Sequence, residues 1–258
     1  KQLEVIEELE KTTLPIFLMI MGGEPTLHPR YFTLLNLLIE KTLKHPDSRL
    51  IFHSNGAKPN EFFEKHPTSD GRLFYLWSIH MEHMTHESFN NLLNNIKIMH
   101  KKNWKQKINL MLHGGRKYWE FTKYIYNKLN ELDYISLHPH YIYGGIGLDT
   151  TYKDEFYNYF DFLLNQRDKE FEYYTKDKKI IMSDYEIFKN NYNMFKGWKC
   201  WQNNYEINND CKISDQCFNR NPKPITTDFF KNIASIEPKI CTYDFCSCDG
   251  LLKIHKEK

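Results

Sequence analysis

Short apolar bursts alternate with longer amphipathic stretches over the first 145 residues, and this alternation predicts the architecture. Residues 2–11 place Leu3, Ile6 and Leu9 at helical spacing with polar residues between them, which predicts a helix. Residues 15–21 (PIFLMIM) form a continuous apolar run closed by Gly22-Gly23, the pattern of a buried strand. A helix over 30–44, a strand at 49–53 and a turn at Asn55-Gly56 follow. Next come a helix near 59–65, a strand at 73–79, a helix over 86–102, and a strand at 107–112 that runs into His113-Gly114-Gly115. A helix over 117–131 and a strand at 133–137 ending at His138-Pro139 complete the series.

Strands that alternate with helices imply βαβ units and a parallel sheet. Five such units with right-handed crossovers favour an α/β fold of the partial (β/α) barrel type, with a doubly wound open sheet as the rival. Residues 1–145 make up this first region. Residues 146–199 hold a Tyr- and Phe-rich helix at 153–165 and charged stretches such as 167–179, and are read as a helical connector. Residues 200–258 form a small cysteine-rich module with Pro222 and Pro224 in its middle.

Composition narrows the function. With 41% hydrophobic residues among 258, the chain can build a core, which excludes a disordered or fibrous protein. No apolar run approaches 18 residues, so a membrane span is not expected. Lys plus Arg number 35 against 33 Asp plus Glu, a balance that gives nucleic acid no electrostatic footprint. All six cysteines (Cys200, Cys211, Cys217, Cys241, Cys246, Cys248) fall after residue 199. In a cytoplasmic protein such crowding points to metal ligation, with buried structural thiols as the plain alternative.

Each strand end is polar or glycine-rich: Gly22-Gly23-Glu24-Pro25, His53-Ser54-Asn55-Gly56, Ser78-Ile79-His80, Asn109 with His113-Gly114-Gly115, and His138-Pro139-His140. In a βα barrel the functional groups sit where strands give way to loops at the carboxyl face. Taken singly, Gly22-Gly23 and Asn55-Gly56 read as turns. His80, His83 and His86 lack a metal-binding His-Glu-x-x-His spacing and read as surface histidines. The information lies in their serial order.

Residues 19–29 (MIMGGEPTLHP) resemble the second-strand motif of radical S-adenosylmethionine (radical SAM) enzymes. His53-Ser54-Asn55-Gly56 is similar to that family's third-strand Thr-Asn-Gly, and Trp77-Ser78-Ile79-His80 to its fourth-strand Ser-Leu-Asp, with His80 replacing the usual Asp. The resemblance covers residues 1–140 and implies a six-stranded partial barrel holding S-adenosylmethionine and a catalytic [4Fe–4S] cluster. It implies that Gly22, Gly23 and Glu24 bind the amino group, with Pro25 next to them in the cofactor site, and that Ser54 and Asn55 lie by the methionine moiety. Ser78 and His80 would lie by the ribose, Asn109 by other polar groups, and His138 by the adenine. The family's Cys-x-x-x-Cys-x-x-Cys loop does not occur in this sequence. The first strand and cluster loop are therefore expected upstream of Lys1, this polypeptide alone is expected to be inactive, and 15–21 should be an exposed sheet edge.

Residues 197–217 resemble the entry of the twitch or SPASM extension that follows many such barrels. A hairpin with arms Tyr205-Glu206-Ile207 and Lys212-Ile213-Ser214 would bring Cys200 and Cys217 together, with Cys211 at the turn position usually given to Gly. The ligands expected for an auxiliary [4Fe–4S] cluster are Cys200, Cys217, Cys241 and either Cys246 or Cys248, and a four-cysteine zinc site is the rival. The implied activity is reductive cleavage of S-adenosylmethionine to a 5′-deoxyadenosyl radical that takes hydrogen from a peptide or small molecule. Flavodoxin or ferredoxin would donate the electron. A non-redox, zinc-stabilised βα-barrel binding protein is the alternative reading.

Overall fold

In the computed structural model, five parallel strands form a sheet whose order follows the chain. Residues 2–144, 147–148, 152–164, 171–174, 179–182, 186–187, 190, 192–201, 205–208, 210–215, 219–226, 229–230, 237–244, 246 and 256–258 are described. They fall into two compact units. One comprises Thr13–Ile142 with Asp149–Tyr159, the other Lys1–Thr12, Tyr143–Leu148 and Phe160–Lys258. The first stretch of chain contains α1 (Gln2–Glu10), β1 (Phe17–Ile20), α2 (Tyr31–Thr42), β2 (Arg49–Ser54), α3 (Asn60–Glu64) and β3 (Leu73–His80). Then follow α4 (His86–Lys101), β4 (Lys105–Leu112), α5 (Trp119–Asn130), β5 (Ile135–Tyr141) and α6 (Asp154–Leu164).

The sheet order β1-β2-β3-β4-β5 has every strand parallel to its neighbour. Each crossover advances one strand in the same direction, so right-handed connections place the intervening helices on one face. A doubly wound sheet requires a reversal of order, and none occurs here. Packing agrees: Tyr31 of α2 meets Phe52 of β2, Phe63 of α3 meets Tyr75 and Trp77 of β3, and Gln106 of β4 donates to the Ile96 carbonyl of α4 at 2.9 Å. Alternate strand residues point to this layer, and Leu50, Phe52, Tyr75, Trp77, Ile79, Ile108 and Leu110 are buried. The other face carries Ile51, His53, Ser78, Asn109 and Met111, none of them fully buried. Among the described residues the sheet is open, because β1 and β5 each pair on one side only.

Local sequence explains the helices. In α4, Thr85 and Ser88 form a reciprocal capping box, and Phe89, Leu92, Ile96 and Met99 recur at three- and four-residue steps to make its buried stripe. Deleting one such buried side chain costs about 2–5 kcal/mol. Asn95, on the same stripe, spends its amide on the Gly56 and Lys58 carbonyls at 3.1 and 3.0 Å, fixing α4 to the loop after β2.

Two strand expectations need correction. The apolar run 15–21 does not make a buried strand: β1 is the sheet edge, with Phe17 68% exposed and Met19 and Met21 exposed as well. Uniform apolarity marks a strand covered on both faces, but it does not report whether a neighbour lies on each side. The edge placement itself matches the expectation drawn from the family resemblance. Strand β5 continues through Pro139 to Tyr141 instead of stopping at His138, and an edge strand tolerates the missing proline donor.

The second unit is mostly β. It holds β6 (Tyr143–Gly144), β7 (Gly147–Leu148), β8 (Phe171–Tyr174), β9 (Lys179–Met182), β10 (Lys199–Cys200), β11 (Tyr205–Ile207), β12 (Lys212–Asp215), β13 (Asn219–Pro224), β14 (Lys239–Ile240) and β15 (Lys256–Glu257). Its larger sheet runs β14-β10-β15-β8-β9, and β11-β12-β13 form a smaller one. The stretch 171–182, expected within a helical connector, contributes the antiparallel pair β8–β9, in which Phe171 pairs with Met182 and Tyr173 with Ile180. The hairpin of β11 and β12 forms with the expected arms. Its turn sets Cys211 at φ +61°, in the left-handed region that favours glycine.

Candidate ligand site at the strand ends

The chain leaves β1 through Gly22 and Gly23 at φ +96° and +54°. Both are exposed, and no atom lies within 4 Å of where a Cβ would stand on either. Side-chain packing therefore does not select glycine here; the left-handed backbone does, and it leaves the corner bare. Glu24 then caps a single 3₁₀ turn, Pro25–Leu27, with Pro25 at its first position. One carboxylate oxygen accepts from the Thr26 N–H at 3.1 Å and the Thr26 hydroxyl at 2.7 Å, and the other accepts from the Asn55 N–H at 2.8 Å. The anion is thus held between the loops that follow β1 and β2.

The β2 loop is built to receive it. Ser54 is buried and accepts from the Gly56 N–H at 3.0 Å, while the Asn55 side chain accepts from the Ala57 N–H at 2.9 Å. Gly56, at φ +70°, packs where a methyl group would strike the Leu92 side chain and lie 3.3 Å from the Trp77 ring. Glycine is required here on both counts. The turn is pinned to the core, and it presents the Asn55 N–H outward to Glu24.

On the open sheet face, Ser78, Asn109 and His138 stand in one register row across β3, β4 and β5. The His53 ring and the Ser78 hydroxyl hydrogen-bond, and the His138 ring meets the Ser136 hydroxyl at 2.6 Å. Burial pushes the His53 pKa down from its ordinary value. Glu24 opposes this and His80 adds to it, so all three groups lie within electrostatic reach of one another. His80 is exposed at the end of β3. The Asn109 side-chain oxygen is buried without a hydrogen-bond partner, an acceptor that lacks a donor.

The expected residues therefore fall into two groups. Gly22, Gly23, Glu24, Pro25, Ser54 and Asn55 form the β1–β2 corner, and Ser78, His80, Asn109 and His138 form the β3–β5 row. Sequence reasoning missed Thr26, which anchors Glu24, and His53, which orients Ser78. Thr26 lies inside the quoted motif, so its anchoring role was open to inference. His53 has no signal beyond the parity of its strand position.

Beneath the β2 loop lies an aromatic layer. The Tyr31 hydroxyl hydrogen-bonds His66 at 2.9 Å and lies 3.5 Å from the Tyr75 hydroxyl. Burial pushes His66 down to about 4 and raises both tyrosines.

In the second unit, Cys241 and Cys246 share a buried cluster with Ile187 and Phe195, and Cys200 is buried in β10. The backbone carries them: the Cys241 N–H donates to the Trp198 carbonyl and the Cys246 N–H to the Asn193 carbonyl, each at 2.8 Å. Cys217 and Cys248 lie outside the described residues. Among the described residues, no three His, Cys, Asp or Glu side chains group closely enough to hold a metal ion. No helix there is long and apolar enough to cross a membrane.

No protein-family model matches the sequence, and no curated protein matches it. Solved structures do resemble it. Native anSMEcpe with bound AdoMet and Kp18Cys peptide aligns over 63% of this chain and 52% of its own, at 19% identity and a TM-score of 0.44. Native anSMEcpe with bound AdoMet aligns over the same shares, 63% and 52%, at 19% identity and a TM-score of 0.43. This chain spans about half the length of the solved chains it resembles.

Proposed function

We propose that the first unit is the S-adenosylmethionine-binding sheet of a radical SAM enzyme. The observation that carries this reading is the bare left-handed Gly22-Gly23 corner next to a Glu24 carboxylate pinned by Thr26 and Asn55, within the sequence MGGEPTLHP. A sulfonium nucleotide presents an ammonium and a carboxylate on one carbon. The corner offers the matching acceptors: the Glu24 oxygens and backbone carbonyls that no side chain screens. The residues present fit the cofactor in a second respect, because the Asn109 oxygen needs a donor.

In this reading Glu24 binds the ammonium, with its rotamer fixed in advance, so little side-chain entropy is lost on binding. Ser54 and Asn55 hold the β2 loop against the methionyl end. The Ser78 hydroxyl, oriented by His53, and Asn109 face the ribose side, and His138, braced by Ser136, edges the adenine. When bound, S-adenosylmethionine would supply hydrogen-abstraction chemistry: one electron from the external donor would break its C5′–S bond, releasing methionine and a 5′-deoxyadenosyl radical. The chain's own part is to bind, orient and keep water out. A peptide or small-molecule substrate, a flavodoxin- or ferredoxin-type electron donor and a catalytic [4Fe–4S] cluster with ligands outside this sequence belong to the proposal. So does the auxiliary cluster on Cys200, Cys217, Cys241 and Cys246 or Cys248, which rests on cysteine spacing and the resemblance of residues 197–217.

Equilibrium dialysis of the chain against S-adenosylmethionine tests the core of the proposal, with saturable binding expected. Absence of saturable binding by a folded chain would overturn it. For the full-length protein, dithionite-dependent release of 5′-deoxyadenosine is the expected activity. Iron, labile sulfide and zinc analysis after purification separates the metal readings: stoichiometric zinc without sulfide would replace the auxiliary cluster.

A further inference from the structure

The strands β1–β5 contain no Asp or Glu, so a cation at their β1–β2 end depends on a carboxylate supplied by a loop. Glu24 supplies it. Its Oε2 accepts from the Asn55 N–H at 2.8 Å, two residues beyond His53, a step of roughly 7 Å along extended backbone. His53 lies on the open face of the sheet, and its Nε2 hydrogen-bonds the Ser78 hydroxyl. Among the described residues, the charged groups that act on His53 are Glu24, which favours the imidazolium, and His80, which disfavours it. Lys107 stands in the same register row two strands away and has an interaction of its own. Glu82, another acid near these strand ends, lies 3.6 Å from His113.

One carboxylate therefore serves two cations, the His53 imidazolium and an ammonium brought by a ligand. Resting on the reading above, we propose that these cations compete, so that S-adenosylmethionine binds the chain with His53 neutral and expels the His53 proton. Hydrogen-bond polarity adds a second cause. A neutral ring protonated at Nδ1 accepts from Ser78 and leaves the lone pairs of the hydroxyl oxygen for a ligand, whereas the imidazolium donates to Ser78 and turns its O–H outward. His53 is thus a positioning residue whose proton state sets both the field at Glu24 and the polarity of Ser78. Burial holds the His53 pKa below its ordinary value, so the neutral form prevails at pH 7. An ammonium at Glu24 lowers it further; affinity is complete above about 6.5 and is lost as pH falls below it.

Equilibrium dialysis of the full chain against S-adenosylmethionine at about pH 7 and about pH 5, both above the ordinary carboxylate pKa, tests this. Kd is expected to rise roughly threefold or more at the lower pH in the parent, and by less than about 1.5-fold in His53→Gln, whose side chain hydrogen-bonds without titrating. Histidine-resolved NMR of the parent gives a readout that does not depend on how the variant folds. Saturating S-adenosylmethionine should move the His53 titration to lower pH by about 0.5 unit or more, and Glu24→Gln without ligand should move it the same way. A Kd equal at both pH values, the same rise in folded His53→Gln, or a His53 titration that the ligand leaves in place overturns the proposal while the cofactor reading stands. No saturable binding at either pH overturns the cofactor reading and the proposal with it.

Discussion

Replacing Glu24 by Gln removes a charge while keeping nearly the same shape, and the structure separates its two consequences. The carboxylate accepts three hydrogen bonds, two from Thr26 and one from Asn55. The amide can serve only one side: if its oxygen stays with Thr26, its NH₂ faces the Asn55 N–H, donor against donor. One charge-assisted bond is lost at a half-exposed site where water can enter, so the stability cost should be about 1–2 kcal/mol. Ligand affinity should suffer more. A unit charge pair at 4 Å is worth about 4 kcal/mol at an effective dielectric of 20, and discounting roughly half for desolvation leaves about 2 kcal/mol, or 30-fold in Kd. Calorimetric titration of S-adenosylmethionine into the parent and E24Q chains reads this directly, and the gap should narrow as salt is raised. Thr26→Val provides a control that keeps the charge but frees it, with an expected loss of three- to tenfold. If E24Q stays folded and binds within twofold of the parent, the corner does not grip an ammonium.

Three further outcomes follow from the packing. Gly56→Ala should destabilise the first unit by about 2–4 kcal/mol in urea unfolding, from left-handed strain plus overpacking against Leu92 and Trp77; a change below 1 kcal/mol would contradict the tight turn. His66 has a folded pKa below its unfolded one, so its contribution is complete above about 6.5 and is lost as pH falls towards 4. That amounts to about 3 kcal/mol, which a His66→Leu variant should abolish in stability measurements across that window. Cys211→Gly should raise stability by about 0.5–1 kcal/mol by relieving the left-handed cysteine at the hairpin turn; destabilisation with loss of bound metal would instead make Cys211 a ligand.

The βα rhythm was legible because each helix and strand follows its own period: α4 buries Phe89, Leu92, Ile96 and Met99, and β4 alternates buried and half-buried residues along its length. The Gly22-Gly23-Glu24 corner was legible because backbone handedness and capping act over a few residues. Properties that depend on distant partners were not legible. The edge position of β1 depends on which strands pair with it, and β8 and β9 are four-residue strands, too short to show a period, set in and beside the charged stretch 167–179. The His53–Ser78 contact joins residues 25 apart through sheet register alone. The hairpin around Cys211 was visible through its turn chemistry, whereas the meeting of Cys241 and Cys246 around Phe195 depends on packing that cysteine spacing cannot encode.

With its crossover helices on one side, the sheet divides packing and the proposed recognition between residues of opposite parity. Ile108 and Leu110 support the fold while Lys107, Asn109 and Met111, interleaved with them one position away, meet whatever enters. Lineages can therefore retune specificity at every second position of β4 without reopening the core, and a mutational scan of that strand should alternate between the two phenotypes with a period of two.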